Sequence, residues 1–446
     1  MATNPQIRRR ILRKGISEIR VRGYKSLLEE SSIEIRPLTI LAGANSSGKS
    51  SILQPILMLK QTLDATYDPG VLLLYGPNVK FTSIEQLFSK LIGKKTTGTF
   101  STGVTIDQKI SISHLFGKHP KKGPELQEFS YIEGDEKLTL KEGLDSEEIE
   151  NLIPAHLKEI KTAMSEGSKY NFRWRVERNR CFLTVDLSSD RFPSDYVVSS
   201  YPPIQPFVDN IRKIIHVPGL RGNPERTYRT TAIGSEFPGT FENYVASVIN
   251  HWQSNNSEQL QQLSLALEAL GLTCKIEAKK IDDTQVELRV GRLPHGLRGR
   301  SRDTVNITDV GFGVSQTLPV IVALLLAESG QFVYIEQPEI HLHPRAQRAM
   351  AQLLADAAKR GVKVVVETHS SLLLRGIQTI VAKRGLPKEY VKLHWFTRRS
   401  EDGLTIINSI NLDKNGAFGE WPSDFDEVEL AAESDYLDSV ERNFAQ

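Results

Sequence analysis

Apolar residues fall along the chain in two recurring patterns. Short consecutive runs, bounded by glycine, proline or polar residues, predict buried strands at Pro37–Ala42, Ile214–Val217, Gln331–Glu336 and Val362–Val366. Ile16–Tyr24 and Ser32–Ile40 read as two more strands, joined by the turn Lys25–Glu30. Elsewhere the apolar positions recur on one helical face, as with Ile52, Leu53, Ile56, Leu57, Leu59 and Leu63. Thr240–Trp252, Ser257–Leu270, Thr317–Ala327 and Arg345–Lys359 predict further helices. Pro344 suits the first position of the last of these. Pro55 falls early in the first helix and is expected to kink it. Together these elements predict an α/β unit.

From residue 76 to about 205 the texture changes. Glycines and lysines mix with strand-like pieces at Val104–Ser113 and Phe182–Leu187, and with one charged helical piece, Ser146–Ala163. Thr273–Ile281 and Gln285–Val290 read as a hairpin turning at Asp282-Asp283. The expected division is 1–75 as the first part of the α/β unit, 76–205 as an inserted α+β lobe, 206–311 as a helical and hairpin segment leading back, 312–410 as the second part of the unit, and 411–446 as a tail. No repeat and no sustained heptad pattern occurs, so no long coiled coil is expected.

Composition narrows the picture. The 446 residues are 39% hydrophobic and 25% charged, as in globular proteins, and the net charge of +2 argues against polyanion binding by bulk charge. Two cysteines, Cys181 and Cys274, make no disulfide framework and no cysteine zinc site. The longest apolar run, through Leu318–Ala327, is too short to cross a bilayer, so no membrane is expected. The basic N-terminus (Arg8, Arg9, Arg10, Arg13, Lys14) lacks the apolar core of a signal peptide, and a cytoplasmic location is expected. Arg292, Arg298, Arg300 and Arg302 form a basic loop, read either as solvated or as a patch for phosphates of nucleic acid or of a neighbouring subunit's nucleotide. The acidic tail from Glu420 is read either as solvated or as a docking surface.

The chemistry is carried by Gly43-Ala44-Asn45-Ser46-Ser47-Gly48-Lys49-Ser50, a P-loop pattern set between a predicted strand and a predicted helix. Its glycines let the backbone turn tightly and face its N–H groups to phosphate oxygens, and the following helix start favours negative charge. Gly43, Asn45, Ser46, Ser47, Gly48, Lys49, Ser50 and Ser51 are therefore the expected nucleotide cradle. Lys49 is expected at the β and γ phosphates and Ser50 on Mg²⁺. Glu336, which ends an apolar strand, is the expected carboxylate partner of Ser50 on the metal. A second helix start, Asp309–Gln316 with Gly313, Ser315 and Gln316, offers another anion-binding end. His341 and His343 have the spacing of a metal pair but lack a third ligand nearby.

Taken in order, these motifs resemble the ABC-type ATPases of the RecF, SMC and OLD-like branch. The matching residues are Walker A at Gly43–Ser50, a signature-like Gly313-Val314-Ser315-Gln316, Walker B at Phe332–Glu336, a D-loop-like His341-Leu342-His343-Pro344 and a switch histidine, His369. The opening Arg22-Gly23-Tyr24-Lys25-Ser26 also resembles that branch. The resemblance implies a mixed-sheet ATPase head that binds ATP and Mg²⁺. It implies a head-to-head dimer in which Ser315 of one copy meets the γ phosphate held by the other. Glu-Gln-Pro-Glu followed by His-x-His-Pro is similar to the ATPases of anti-phage systems such as Septu, PARIS and retron-linked modules. Those act beside a separate effector, so an effector protein such as a nuclease is an expected partner, with DNA as another. Gln337 stands where the family usually has a catalytic glutamate, which implies slow hydrolysis and gives Glu339 as a substitute.

Overall fold

The computed structural model describes residues 5–90, 96–121, 123–166, 170–189, 199–292 and 303–419. The P-loop strand β3 (Leu38–Gly43) lies inside a six-stranded sheet with β11 (Ile215–Val217), β16 (Phe332–Glu336), β17 (Lys363–Thr368), β18 (Val391–Arg398) and β19 (Thr405–Ile410). The order is β11-β16-β17-β3-β18-β19, parallel except for the last strand. β3 and β17 are buried at every position, as expected of strands covered on both faces.

Alternation along these strands divides the core. Leu38, Ile40, Ala42, Val333, Ile335, Val364 and Val366 pack on one face beneath α6 (Val245–Ser254), α7 (Glu258–Ala269), α8 (Phe312–Leu326), α9 (Pro344–Lys359) and α10 (Ser371–Ala382). Leu41, Phe332, Tyr334, Val365 and Phe396 pack on the other, with α2 (Gln54–Asp64) and α5 (Gln205–Arg212). That second core continues into an antiparallel sheet of order β2-β1-β4-β5-β6-β7. Its strands are β1 (Ile16–Arg22), β2 (Ser31–Glu34), β4 (Thr99–Ile106), β5 (Ile110–His119), β6 (Gly123–Glu133) and β7 (Glu136–Leu140). The first two strands of the chain thus share a sheet with strands beyond residue 76. Beside them stand α3 (Ser146–Leu152), α4 (Ala155–Glu166) and a small sheet of β8 (Phe172–Asn179), β9 (Phe182–Ser189) and β10 (Ser199–Tyr201). A fourth sheet joins β12 (Tyr228–Arg229), β13 (Ile276–Lys280), β14 (Gln285–Gly291) and β15 (Thr304–Asn306). The N-terminal α1 spans Pro5–Arg13.

Four expectations are corrected. Ser32–Ile40 is not one strand: Arg36 N–H donates to Thr39 Oγ1 (2.8 Å) and Pro37 has no N–H, so the ladder breaks and β2 and β3 join different sheets. Pro55 does not kink a helix. A 3₁₀ turn at Ser50–Ile52 ends first, and Pro55 lies in the opening turn of α2, where its missing N–H costs nothing. Ser146–Ala163 is two helices, interrupted before Pro154. The helix expected from Thr317 begins at Phe312.

Gln61 of α2 links this helix to the turn Gly76–Val79. Its amide donates to Leu73 O (2.6 Å) and accepts from Val79 N–H (3.0 Å), at a side chain that is 1% exposed. Gln61→Ala would strand both backbone groups, and urea unfolding should show a loss of about 2–3 kcal/mol.

Candidate functional site

The P-loop is shaped by what surrounds it. Gly43 sits at φ +142°, and a Cβ there would lie 2.1 Å from Phe396 O. Gly48 sits at φ +101°, and its Cβ would lie 2.5 Å from Thr405 Oγ1. Only glycine fits either place. Thr405, at the start of β19, donates its hydroxyl to Ser47 O and meets Ser26 Oγ, both at 2.8 Å. Lys49 is 3% exposed and donates to Gly43 O (3.0 Å) and Ala44 O (2.7 Å). Burial lowers its pKa, opposed by the charges of Glu367 and Glu339. A hollow of about 210 Å³ lies over the loop, lined by Ser46, Ser47, Gly48, Lys49, Ser50 and Ser51 with Lys25, Gln54, Glu367 and Arg398. Ala44, Asn45 and Ser46 are exposed along the loop crest.

Strand register delivers two carboxylates beside this loop. β16 and β17 pair in parallel with Glu336 opposite Glu367, and β17 pairs with β3 with Thr368 opposite Ala42. The carboxylate that Ser50 touches directly is Glu367, a residue beyond the expected pair of Ser50 and Glu336 on the metal: Ser50 Oγ lies 3.0 and 2.9 Å from its two oxygens. The buried Tyr334 hydroxyl donates to Glu367 Oε2 at 2.8 Å. Burial pushes the Glu367 carboxyl up and the Glu336 charge adds to this, against the Tyr334 and Ser50 hydrogen bonds. Glu336 has its own partners. His216 Nε2 lies 3.1 Å from Oε1 and Gly219 N–H donates to Oε2 at 3.1 Å. Burial raises its pKa, but these partners outweigh burial and the net shift is downward.

Gln337 takes a left-handed backbone, φ +46°, and its N–H donates to Glu367 O at 2.7 Å. Its side chain lies beside that of Glu336 next to Gly219, where a Cβ would stand 3.4 Å from an oxygen of each. Glu339 is tied down. Its Oε1 accepts from Thr368 Oγ1 and from His369 N–H, each at 2.8 Å, while Oε2 is buried without a partner. Burial raises the Glu339 pKa. His369 is half-buried next to Gly43 and Lys49, and burial, with the Lys49 charge second, lowers its pKa.

The signature-like residues lie in the first turn of α8, whose N-cap is Gly311. Ser315 Oγ donates to Phe312 O (3.1 Å), and Phe312, 53% exposed, packs on the ring of His341. Gly313 passes close to Leu272: a Cβ would lie 3.2 Å from its side chain. Gln316 points inward and donates to Gly222 O (3.1 Å) and Arg221 O (3.4 Å). Arg221 returns the contact. It donates to Gln316 O (2.9 Å) and to Glu336 O (2.8 Å), so one guanidinium joins α8 to the end of β16. None of Gly313, Ser315 and Gln316 lines the P-loop hollow.

Other expected residues have simpler surroundings. His343 caps α9, its Nδ1 accepting from Arg345 N–H at 3.3 Å. Arg292 is an exposed side chain paired with Asp303, to which its Nε donates at 2.6 Å. Arg298, Arg300 and Arg302 lie outside the described residues, as does the acidic tail from Glu420. The motifs did not point to Glu367, His216 or Arg221. Only Glu367 carried a signal, as a polar residue closing an apolar strand run.

The chemistry of this site fits Mg²⁺ and a triphosphate. Hard oxygen donors from Ser50, Glu367 and Glu336 suit Mg²⁺. Gly43 and Gly48 let the loop pack closely on Phe396 and Thr405, and the buried Ser47 Oγ has no protein partner. A family model described as "AAA domain, putative AbiEii toxin, Type IV TA system" matches residues 38–375. The chain belongs to this family. The match starts with the P-loop strand and ends inside α10, so it spans the motifs from Gly43 to His369. No curated protein matches it. Solved structures of similar trace include an SMC head bound to the C-winged helix domain of ScpA, at 13% identity and TM-score 0.48, covering 90% of this chain and 98% of that one. The SMC head domain from Thermotoga maritima follows at 12% and 0.40, covering 89% and 99%. The Smc head with an extended coiled coil, bound to the C-terminal domain of ScpA derived from Pyrococcus furiosus, gives 12% and 0.43, covering 89% and 96%. No residue role is carried over from them. Among the described residues no helix of the AAA domain is long and apolar enough to cross a membrane.

Glu367→Gln separates the two costs at this site. The Glu367 pKa is raised in the folded protein, so its protonated form is favoured there. The stability this gives is present at low pH and is lost as pH rises through the raised value. The glutamine variant should therefore melt at a higher temperature than wild type without nucleotide, and the gap should widen from pH 5 to pH 8. In the same variant, Mg²⁺-dependent nucleotide binding should weaken by at least about tenfold.

Proposed function

We propose that this AAA domain is an ATP-binding, slowly hydrolysing switch. Two copies close head-to-head around ATP, and the closed pair controls an effector protein such as a nuclease in bacterial anti-phage defence. One observation carries the reading. The chain holds a P-loop hollow and an exposed signature-like helix start, and Ser315 does not line that hollow. Each half lacks what the other offers, and a second copy supplies it. The family's description as a toxin of a toxin–antitoxin system favours the defence role over RecF-like DNA repair.

Within this reading the P-loop amides and Lys49 bind the triphosphate, and His369 stands beside them. Ser50, Glu367 and Glu336 hold Mg²⁺, which when bound offsets the charge that develops on the transferred phosphoryl group. Gln337 can orient a water molecule but cannot take its proton, and Glu339 is held in place through one oxygen by Thr368 and His369, leaving only its buried second oxygen as a base. Turnover is then slow and the closed pair long-lived. These same two residues favour a second reading, a scaffold that ATP holds together without hydrolysis.

Light scattering of the purified full chain with Mg²⁺ and ATP tests the proposal, with phosphate release measured in parallel. ATP should double the mass of wild type. Ser315→Arg should bind nucleotide and stay single, and Lys49→Ala should lose nucleotide. Wild type should release phosphate at less than about 0.1 s⁻¹, and Gln337→Glu should be faster. A mass unchanged by ATP refutes closure. A doubled mass with no phosphate release from either protein selects the scaffold.

A further inference from the structure

Glu336 is oriented by a residue far along the chain from every nucleotide motif. His216, on β11, is 2% exposed and stacks on Tyr334 with ring centroids 5.3 Å apart and planes 7° from parallel. One of its nitrogens, Nε2, faces Glu336 Oε1; the other, Nδ1, lies 3.1 Å from Asn78 Nδ2. Asn78 Nδ2 also lies 3.0 Å from Gly239 O.

These contacts settle where the ring proton sits. A backbone carbonyl only accepts hydrogen bonds, so the Asn78 atom facing Gly239 O must be the amide nitrogen. That nitrogen only donates, so His216 Nδ1 must accept. A neutral imidazole then carries its proton on Nε2, and Nε2–H donates to Glu336. With the opposite tautomer a lone pair would face the carboxylate. Asn78 is itself held by the turn Gly76–Val79, which Gln61 fixes to α2. One donor therefore reaches each oxygen of Glu336, from His216 and from Gly219, and each oxygen keeps a further lone pair.

We infer that Asn78 is a positioning residue for the metal site. It fixes the tautomer of His216 and makes that ring a permanent donor to Glu336, which sets the carboxylate's orientation for Mg²⁺. This rests on the reading of Glu336 as a Mg²⁺ carboxylate. The nearby His369 takes no part, since the relay runs from the turn after α2 through the edge strand β11.

The test is long-range ¹H–¹⁵N NMR of the full chain labelled in histidine, without nucleotide, with the His216 signals identified by their loss in His216→Gln. Wild type should show His216 protonated on Nε2 and bare on Nδ1. In Asn78→Asp the new carboxylate accepts at Nδ1 and the proton should appear there. The Mg²⁺ concentration needed for half-maximal ATP binding should rise about tenfold in Asn78→Asp and Asn78→Ala, with ATP binding in EDTA unchanged. Glutamine at 216 presents an N–H without help from residue 78, so Asn78→Ala with His216→Gln should recover Mg²⁺ dependence. Wild-type His216 protonated on Nδ1 overturns the inference, as does unaltered Mg²⁺ dependence in both Asn78 variants or no recovery in the double variant. Wild type that binds no ATP at any Mg²⁺ concentration refutes the nucleotide reading instead, while the tautomer is read without nucleotide.

Discussion

The parallel, in-register pairing of β16, β17 and β3 is the constraint on which the site depends. It brings three strand ends to one level, with Glu336 beside Glu367 and Thr368 beside Ala42. A slip of one residue would turn each of these side chains to the opposite face. The pairing places two acidic groups side by side in a poorly solvated place, which is unfavourable unless each finds partners. Tyr334 and Ser50 serve Glu367, and His216 and Gly219 serve Glu336. The sheet thus gathers two carboxyl groups at one level, and hydroxyl, imidazole and amide groups hold them in place.

Local features were the legible ones. The P-loop declared itself because its function depends on a few adjacent residues with fixed spacing. The parallel strands were visible as apolar runs, and the hairpin at Asp282-Asp283 was found by its turn residues. What escaped was lateral. Ser50 chooses Glu367 because β17 lies directly beside β3, whereas β16 is one strand further away. No spacing along the chain encodes that order. His216 sits inside an apolar run and reads as an ordinary strand residue until its neighbour across the sheet is known. The start of α8 was hidden because Gly311 and Gly313 look like loop residues, yet Gly311 caps the helix and Gly313 is in its first turn.

Arg221 shows how a charge can serve as a joint. Its side chain is 8% exposed, and burial pulls the guanidinium down to about 10, opposed by the acidic groups around it. It remains charged at neutral pH. Its hydrogen bonds to the carbonyls of Gln316 and Glu336 hold the signature-like helix and the end of β16 to a common point. Leu220, next to it, is 94% exposed on the same loop. Displacing this loop therefore alters the surroundings of Glu336 and Gln316 together.

The brace from Thr405 to the P-loop has a consequence for biogenesis. Thr405 closes on Ser26 and Ser47 across more than three hundred intervening residues. β18, which flanks β3 directly, also comes late in the chain. A chain emerging N-terminus first exposes its glycine-rich turn early, but nothing can clamp that turn until the closing β18–β19 ribbon has left the ribosome. A polypeptide that stops short of β18 and β19 therefore cannot present a finished cradle.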